Sequence, residues 1–229
     1  MPSAHYDEVI SGLRVAYDGA VEERSSKSVP DWKRREWDTF AGRLQAEGRK
    51  SILEIGSGTG VHARYFTELG FDVTCTDLSA AMVAHCRSQG LEAFEADVVR
   101  LDLGRTFDAA FAFNSLLHVP PEDLPSALDS VVRHLEPSGL FYLGQYGGIN
   151  QSGAFGDDTY VPKRYFSWLE DVAGHRRGAL HRRVVRVGRH RRGRRDAFSV
   201  ASHPRAALTI QQRPAVEIQP EQLVLAQLS

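Results

Sequence analysis

Four short stretches of the sequence place glycine or polar residues directly after an apolar run. They are ILEIGSGTG, VTCTDLS, FEADVV and FAFNSLLHV, at 52–60, 73–79, 94–99 and 111–119. In an open parallel sheet, ligands bind beyond the carboxyl ends of the strands, where the strand order reverses. If each run is a strand, the polar residues that follow the four runs meet in one site.

The first stretch carries three glycines, Gly56, Gly58 and Gly60, behind the acid Glu54. Glycine permits positive φ and leaves no Cβ where a ligand must touch the backbone, although a purely structural turn uses glycine too. A helix expected from Val61 would point free N–H groups and the positive end of its dipole at this loop, which favours a polar or anionic ligand. A dinucleotide fingerprint starting at Gly56 requires glycine or alanine at position 61, so the valine argues against a nicotinamide dehydrogenase.

The elements around these stretches predict an α/β fold. Apolar residues recur at helical spacing in two N-terminal segments: Tyr6, Ile10, Leu13 and Tyr17, then Trp37, Phe40, Ala41 and Leu44. Beyond them, apolar runs alternate with helical stretches, which predicts strands at 51–55, 71–76, 91–96, 107–113 and 139–145 and helices at 61–69, 79–88 and 121–135. Strands separated by helices imply right-handed crossovers and a doubly wound, Rossmann-like, mostly parallel sheet with helices on both faces.

The composition limits the class of protein. A chain of 229 residues with 42% hydrophobic content can form one large α/β domain. The N-terminus has no apolar signal segment and no apolar run reaches membrane-spanning length, so a cytoplasmic location without a membrane span is expected. The two cysteines, Cys75 and Cys86, lack metal-ligand spacing and are expected to be buried reduced thiols, and no metal site is expected.

The motif Glu54-Ile-Gly56-Ser-Gly58-Thr-Gly60 resembles the first motif of the class I S-adenosylmethionine-dependent methyltransferases, E/D-x-G-x-G-x-G. The later stretches, including LEPSGLFYLG after the fourth strand, follow the order of that family's motifs over residues 51–145. Ser138 stands where the family's L-x-P-G-G turn has its first glycine. The resemblance implies a methyltransferase that acts on a small molecule and binds S-adenosylmethionine.

The resemblance also implies which residues bind the cofactor. Asp77, at the end of the second strand, would bind the ribose hydroxyls, which a carboxylate can accept as a pair; its alternative role is the N-cap of the next helix. Asp97 would accept a hydrogen bond from the adenine amino group, and the N–H of Val98 would donate one to a ring nitrogen of the adenine. The alternative is that Asp97 is a solvated loop carboxylate. Asn114 would contact the methionine end. The full cofactor set is Glu54, Gly56, Ser57, Gly58, Gly60, Asp77, Leu78, Asp97, Val98 and Asn114.

Methyl transfer from a sulfonium needs positioning more than acid or base, because the leaving group is neutral. A general base helps only where the acceptor must lose a proton. His118, at the carboxyl end of a strand, is the candidate, since an imidazole titrates near neutral pH; packing or a loop hydrogen bond is the alternative. His62 follows the glycine loop and could equally be a surface residue, whereas His85 and His134 look like ordinary helix positions.

Three segments are predicted. Residues 1–50 form a helical lid with Tyr6, Tyr17 and Trp37 as possible acceptor contacts or core residues, and 51–170 form the methyltransferase core. In this core, 145–168 would face the acceptor. Residues 171–229 form an atypical tail with 12 Lys and Arg against 4 Asp and Glu.

Three explanations of the tail stay open: a frameshifted or disordered terminus, a genuine basic arm and an unfamiliar folded ending. The first leaves the terminal strands missing or aberrant and exposes the fifth strand as a sheet edge. Residues 1–170 carry 16 Lys and Arg against 25 Asp and Glu, which disfavours a nucleic-acid substrate. The alternative functions are a noncatalytic cofactor-binding regulator and a nucleic-acid-binding protein that uses the tail.

Overall fold

The computed structural model describes residues 2–146, 151–168 and 180–186, with only the backbone for Trp168 and for 180–186. The helices are Ala4–Asp18 (α1), Val21–Ser25 (α2), Asp31–Ala46 (α3), Val61–Glu68 (α4), Ala80–Ser88 (α5) and Leu124–Arg133 (α6). The strands are Ser51–Ile55 (β1), Asp72–Asp77 (β2), Glu92–Glu95 (β3), Phe107–Phe113 (β4), Leu135–Tyr146 (β5), Gln151–Ala154 (β6), Tyr165–Trp168 (β7) and Leu180–Arg186 (β8). Two 3₁₀ turns, Val98–Arg100 and Leu116–His118, follow β3 and β4.

The main sheet has the order β3-β2-β1-β4-β5-β8, and its first five strands are parallel. Strand β1 pairs with β2 on one side and with β4 on the other, so the strand order reverses between β1 and β4. This confirms the predicted doubly wound fold. The carboxyl ends of β1, β2, β3 and β4 therefore lie along one edge, which brings the four polar stretches together.

The C-terminal end of the sheet corrects one expectation. Strand β8 pairs antiparallel with β5, from Leu140 opposite Arg186 to Tyr146 opposite Leu180. The exposed edge at β5, expected only if the terminal strands were missing, is not found, because β8 builds a main-chain ladder that needs no apolar sequence pattern. The rest of the proposed tail, 171–179 and 187–229, lies outside the described residues.

The core has two layers, one on each face of the sheet. One layer packs α3 and α4 through Trp37, Phe40 and Phe66, and the other packs α1 and α6 through Tyr6 and Val131. Neighbouring residues of β1 face opposite layers, as strands buried on both sides must. The two cysteines are buried and unpaired, as predicted.

The N-terminal helices pack onto the core. Ser3 caps α1 by accepting from the N–H of Tyr6 at 3.1 Å, and its own N–H and hydroxyl donate to the carboxylate of Asp123 at 2.9 and 2.7 Å. These bonds tie the start of α1 to the start of α6. The buried face of α1 includes Val9 and Ala16 rather than Ile10 and Tyr17, which are only partly buried.

The segment after β5 contains a small second sheet, in which β6 pairs antiparallel with β7. Neither this hairpin nor the short helix α2 was predicted from the sequence. Over the described ranges, none of the helices combines the length and the apolar character needed to cross a bilayer.

Candidate functional site

A cavity of about 260 Å³ lies at the carboxyl ends of the parallel strands, under α1, α2 and α3. The helices contribute mainly aromatic and basic side chains to its wall, whereas the strand ends contribute glycine and acidic residues. Nine of the eleven residues predicted for the site line this cavity: Gly56, Ser57, Gly58, Asp77, Leu78, Asp97, Val98, Asn114 and His118. The two others, Glu54 and Gly60, are not on its wall.

The glycine loop is shaped by its contacts. Gly56 has φ 70°, and a Cβ there would lie 2.4 Å from Cβ of Ser115, so glycine lets the loops after β1 and β4 touch. Gly58 has φ 53°, and the nearest atoms to a Cβ there belong to the Arg24 guanidinium, 4.0 Å away. The backbone at Gly58 thus faces the cavity rather than the core.

Glu54 and Gly60 support the loop from behind. Glu54 is 1% exposed, and its Oε1 lies 2.8 Å from Nδ1 of His62. A Cβ on Gly60 would lie 2.6 Å from Leu91 and 3.0 Å from Sγ of Cys86. Gly60 is therefore needed for packing against α5 and the chain that follows it, and Glu54 fixes the first turn of α4.

Asp77 joins the glycine loop to the end of β2. Its Oδ2 accepts from the N–H of Gly58 at 2.8 Å and its Oδ1 from the N–H of Ser79 at 2.9 Å. The N-cap of α5 is Ser79, whose hydroxyl accepts from the N–H of Met82 at 3.1 Å, so Asp77 is not the cap. Burial raises the pKa of Asp77, and the two backbone N–H donors oppose that rise.

Asp97 begins the 3₁₀ turn after β3 and is not a solvated loop carboxylate. Its Oδ1 accepts from the N–H of Val99 at 2.9 Å and from the hydroxyl of Tyr6, and its Oδ2 pairs with Arg100 at 2.7 Å. Tyr6 reaches it from α1. Burial and the neighbouring carboxylate raise the pKa of the Tyr6 hydroxyl, so Tyr6 is the donor in this bond.

Asn114 follows β4 in a left-handed conformation, with φ 53°, which asparagine tolerates better than most residues. Its N–H donates to the carbonyl of Gly144 at 2.7 Å, which locks the turn. Its side-chain Oδ1 is buried and has no hydrogen-bond partner. A buried acceptor on the wall of a cavity is suited to a ligand N–H or O–H.

His118 is held by two hydrogen bonds. Its Nδ1 lies 2.6 Å from the carbonyl oxygen of Tyr165, and its Nε2 lies 2.6 Å from the hydroxyl of Tyr17. A carbonyl can only accept, so Nδ1 carries the proton and Nε2 accepts from Tyr17. Burial lowers the pKa of His118 to about 3, with the nearby charge of Arg164 adding to the effect. The imidazole is neutral at physiological pH.

Arg164 supports this pair from the segment before β7. Its guanidinium makes two bonds to Asp158, at 3.0 and 2.7 Å, and a longer one of 3.3 Å to the hydroxyl of Tyr17. The guanidinium carbon also lies 3.7 Å from the ring centre of Tyr160, a cation–π contact. Tyr17, His118 and Arg164 thus form one hydrogen-bonded chain on the cavity wall.

Three further residues bring hydrogen-bond donors to the wall, and sequence reasoning missed two of them. Nε of Arg24 and Nε1 of Trp37 are buried without a hydrogen-bond partner. The ammonium of Lys33 lies 5.5 Å from the ring centre of Trp32 and 5.9 Å from that of Phe113. Arg24 and Lys33 belong to helices whose basic residues look like solvated surface, so no sequence signal separated them from their neighbours.

Two polar residues that lie away from the cavity, Asp108 and His134, are structural. Asp108 accepts from the N–H groups of Lys50 and Ser51 at 2.9 and 3.0 Å, at the opposite end of β1 and β4. His134 ends α6, with Nδ1 2.8 Å from the Ser130 carbonyl and Nε2 accepting from the N–H of Leu103. In the part of the chain that the structure describes, no three Cys, His or acidic side chains converge as metal ligands do.

The residues present fit the cofactor that the motif resemblance implies. The open backbone at Gly58, the free Oδ1 of Asn114 and the unpartnered donors of Arg24 and Trp37 all face one cavity. Such a wall can accept a ligand that carries hydroxyl, amino and carboxylate groups. The parallel sheet with a glycine loop at its switch point is a ligand-binding arrangement of doubly wound α/β proteins, and it agrees with the motif resemblance.

Comparison with known proteins identifies a matching domain and similar chains. Residues 52–139 match the methyltransferase domain family. A glycine/sarcosine N-methyltransferase of Halorhodospira halochloris is 32% identical over 172 residues, 68% of this chain and 61% of the relative. The dTDP-3-amino-3,4,6-trideoxy-alpha-D-glucopyranose N,N-dimethyltransferase of Streptomyces venezuelae is 34% identical over 102 residues, 43% of each chain. The match thus spans about half the length of these curated relatives.

A solved structure described as the DhpI-SAM-HEP complex has the same fold, with a TM-score of 0.57 and 23% sequence identity. The match covers 76% of this chain and 87% of the other. Residues 52–139 therefore match a methyltransferase domain, as the motifs predicted, and the chain shares the fold of this solved structure.

Proposed function

We propose that this protein transfers a methyl group from S-adenosylmethionine to a small-molecule acceptor. The observation that supports this proposal best is the single cavity in which the glycine loop meets Asp77, Asp97 and Asn114, one from the end of each neighbouring strand. The two relatives are N-methyltransferases of glycine or sarcosine and of an amino sugar nucleotide. Their acceptors are small molecules, which favours the same class here.

The proposed cofactor contacts follow from the free groups on the wall. Asp77 binds the ribose hydroxyls, using lone pairs left over from its two backbone bonds. Asp97 and the N–H of Val98 bind the adenine, with Tyr6 covering this end of the cavity. Arg24, above the glycine loop, binds the methionine carboxylate, and Asn114 contacts the same end of the cofactor. Ser57 and Leu78 complete the wall, and Glu54 and Gly60 hold the loop.

The cofactor supplies an electrophilic methyl group on a sulfonium, and the chain positions the acceptor in line with it. His118 keeps its proton on Nδ1 and holds the hydroxyl of Tyr17 through Nε2. The phenolic oxygen of Tyr17 can then accept a hydrogen bond from an N–H or O–H group of the methyl acceptor. His118 acts as a positioning residue for Tyr17, because an imidazole with a pKa of about 3 is a weak base.

The N-terminal helices act as a lid in this proposal, because α1 supplies Tyr6, Leu13 and Tyr17 to the cavity wall. Trp37 contributes from α3. The two buried, unpaired thiols suit a reducing compartment, which favours the cytoplasm. A noncatalytic cofactor-binding protein and a nucleic-acid-binding protein are the competing functions.

Calorimetry on the purified chain with S-adenosylmethionine and, separately, with NAD tests the cofactor assignment. Saturable binding of S-adenosylmethionine alone supports it, and binding of neither ligand refutes it. Transfer of labelled methyl to glycine, sarcosine or amino sugar nucleotides then separates an enzyme from a noncatalytic binder. Deleting 187–229, which leaves β8 in place, tests the third function, since a nucleic-acid-binding arm would give salt-dependent binding that this deletion weakens.

A further inference from the structure

Lys33 is a cation without a counter-ion on the cavity wall. It lies in the first turns of α3, half-buried, with its ammonium over the rings of Trp32 and Phe113. Among the described residues, no acidic side chain forms an ion pair with it. Burial and the like charges of Arg24 and Lys27 lower the pKa of Lys33 to about 8. A partly buried cation without a counter-ion is destabilising, and a ligand that brings a negative charge offsets that cost.

The other charges of the wall do not compensate Lys33. Lys27 pairs with Glu23 at 2.9 Å, Arg164 with Asp158 at 2.7 Å, and Asp97 with Arg100 at 2.7 Å. Among the described residues of the wall, Arg24 and Lys33 are the cations without an ion pair, and Asp77 is the one carboxylate without an ion pair. S-adenosylmethionine would add a sulfonium and an ammonium but only one carboxylate. The loaded cavity therefore keeps an excess of positive charge.

Arg24 and Lys33 lie over different parts of the cavity wall. Arg24 lies above the glycine loop, with guanidinium atoms 4.0 Å from the Cβ position of Gly58. Lys33 lies over Phe113, which directly precedes Asn114 at the end of β4. The free hydroxyl of Tyr146, at the end of β5, lines the same cavity. Arg24 is thus placed for the cofactor, whereas Lys33 is placed beside the end of β4, on the acceptor side.

We propose that Lys33 determines acceptor specificity by binding an anionic group, a carboxylate or a phosphate, of the methyl acceptor. This inference rests on the proposed function, since it assigns the cofactor carboxylate to Arg24. An ammonium is a compact point charge with three donors, which can pair with either anion. Lys33 binds the anionic group only, and the methyl group is transferred to the acceptor atom that contacts Tyr17.

The test measures anion binding without turnover. The full chain is saturated with S-adenosylhomocysteine, which fills the cofactor site, and is then titrated by calorimetry with malonate and, separately, with phosphate. The same titrations use Lys33→Met, Lys33→Arg and the matched control Lys50→Met, a solvent-exposed lysine at the opposite end of β1. Circular dichroism establishes that each variant is folded.

We expect saturable binding of one anion, weakened at least tenfold in Lys33→Met, largely kept in Lys33→Arg and unchanged in Lys50→Met. The anion that binds more tightly tells a carboxylate acceptor from a phosphate acceptor. Absence of anion binding to the parent complex, or equal binding to Lys33→Met, overturns the inference. A large loss of S-adenosylhomocysteine affinity in Lys33→Met overturns it too, because Lys33 would then serve the cofactor. Failure of the parent to bind S-adenosylhomocysteine contradicts the proposed function itself.

Discussion

The hydroxyl of Tyr17 lies 2.6 Å from Nε2 of His118, which joins helix α1 to the turn after β4 across 101 residues of sequence. The bond fixes the imidazole from the side that faces the cavity, while the carbonyl of Tyr165 fixes it from the other. The ring that the sequence offered as a general base is thus held as a neutral acceptor. Its hydrogen bonding depends on a residue that α1 supplies.

Tyr17→Phe removes this donor and leaves Nε2 of His118 without a partner. We expect a loss of about 1 kcal/mol in the free energy of unfolding, measured by urea titration. Methyl transfer to any acceptor found should fall at least tenfold, with the affinity for S-adenosylmethionine changed less than threefold. Tyr65→Phe is the matched control, because its hydroxyl bonds Asp38 at the surface. Equal turnover in the Tyr17→Phe and Tyr65→Phe variants would show that Tyr17 does not contact the methyl acceptor.

Gly56→Ala tests why the glycine loop needs glycine. The new methyl group would lie 2.4 Å from Cβ of Ser115, whereas the same change at Gly48 meets nothing within 4 Å. The φ angles are 70° and 67°, so the backbone strain is matched. We expect Gly48→Ala to cost about 1 kcal/mol of unfolding free energy and Gly56→Ala at least about 2 kcal/mol more. Equal losses in a thermal or urea titration would show that the contact with Ser115 is not tight.

Asp77→Ala tests the ribose contact. Loss of charge-assisted hydrogen bonds should weaken the binding of S-adenosylmethionine by about 1 to 3 kcal/mol in calorimetry. Asp108→Ala is the control, because that carboxylate also accepts two backbone N–H groups but lies at the far end of β1. The control should lower stability and leave the affinity of the folded protein unchanged. Unchanged affinity in Asp77→Ala would exclude Asp77 from the site.

The low pKa of His118, about 3 against 6.5 for the free side chain, predicts an acid-sensitive term in stability. Above pH 6.5 both folded and unfolded chains are neutral at this ring, so the group adds no pH dependence. Between pH 6.5 and 3 the unfolded chain binds a proton that the folded chain does not. Stability therefore falls as the pH is lowered, by at most about 1.4 kcal/mol per pH unit from this group.

Urea titrations of the parent and of His118→Gln between pH 7.5 and 4 measure this term. The variant lacks the titrating ring, so the stability difference between the two proteins should narrow or reverse as the pH falls. His85→Gln, a partly buried histidine of α5 outside the cavity, is the control and should track the parent. A constant difference for His118→Gln across this range would mean that His118 keeps its ordinary pKa in the fold.

Much of the architecture was predictable from local pattern. The bounds predicted for β1 and β4 agree with the structure, because buried parallel strands are short apolar runs that end at polar residues. The order of the motifs likewise predicted that Asp77, Asp97 and Asn114 would share a cavity, since carboxyl ends of parallel strands share one edge. The antiparallel β8 was not predicted, because its pairing uses backbone groups that every residue carries.

The sequence by itself determined the doubly wound sheet and the strand-end residues of the cavity, because both follow from periodicity and from residue types at strand ends. Only the tertiary structure decided that Tyr17 meets His118, that Glu54 turns to His62, and that Lys33 faces a cavity rather than solvent. Those outcomes depend on the orientation and position in which α1 and α3 pack against the sheet. That docking is set by side-chain packing between segments far apart in the chain, which no local pattern encodes.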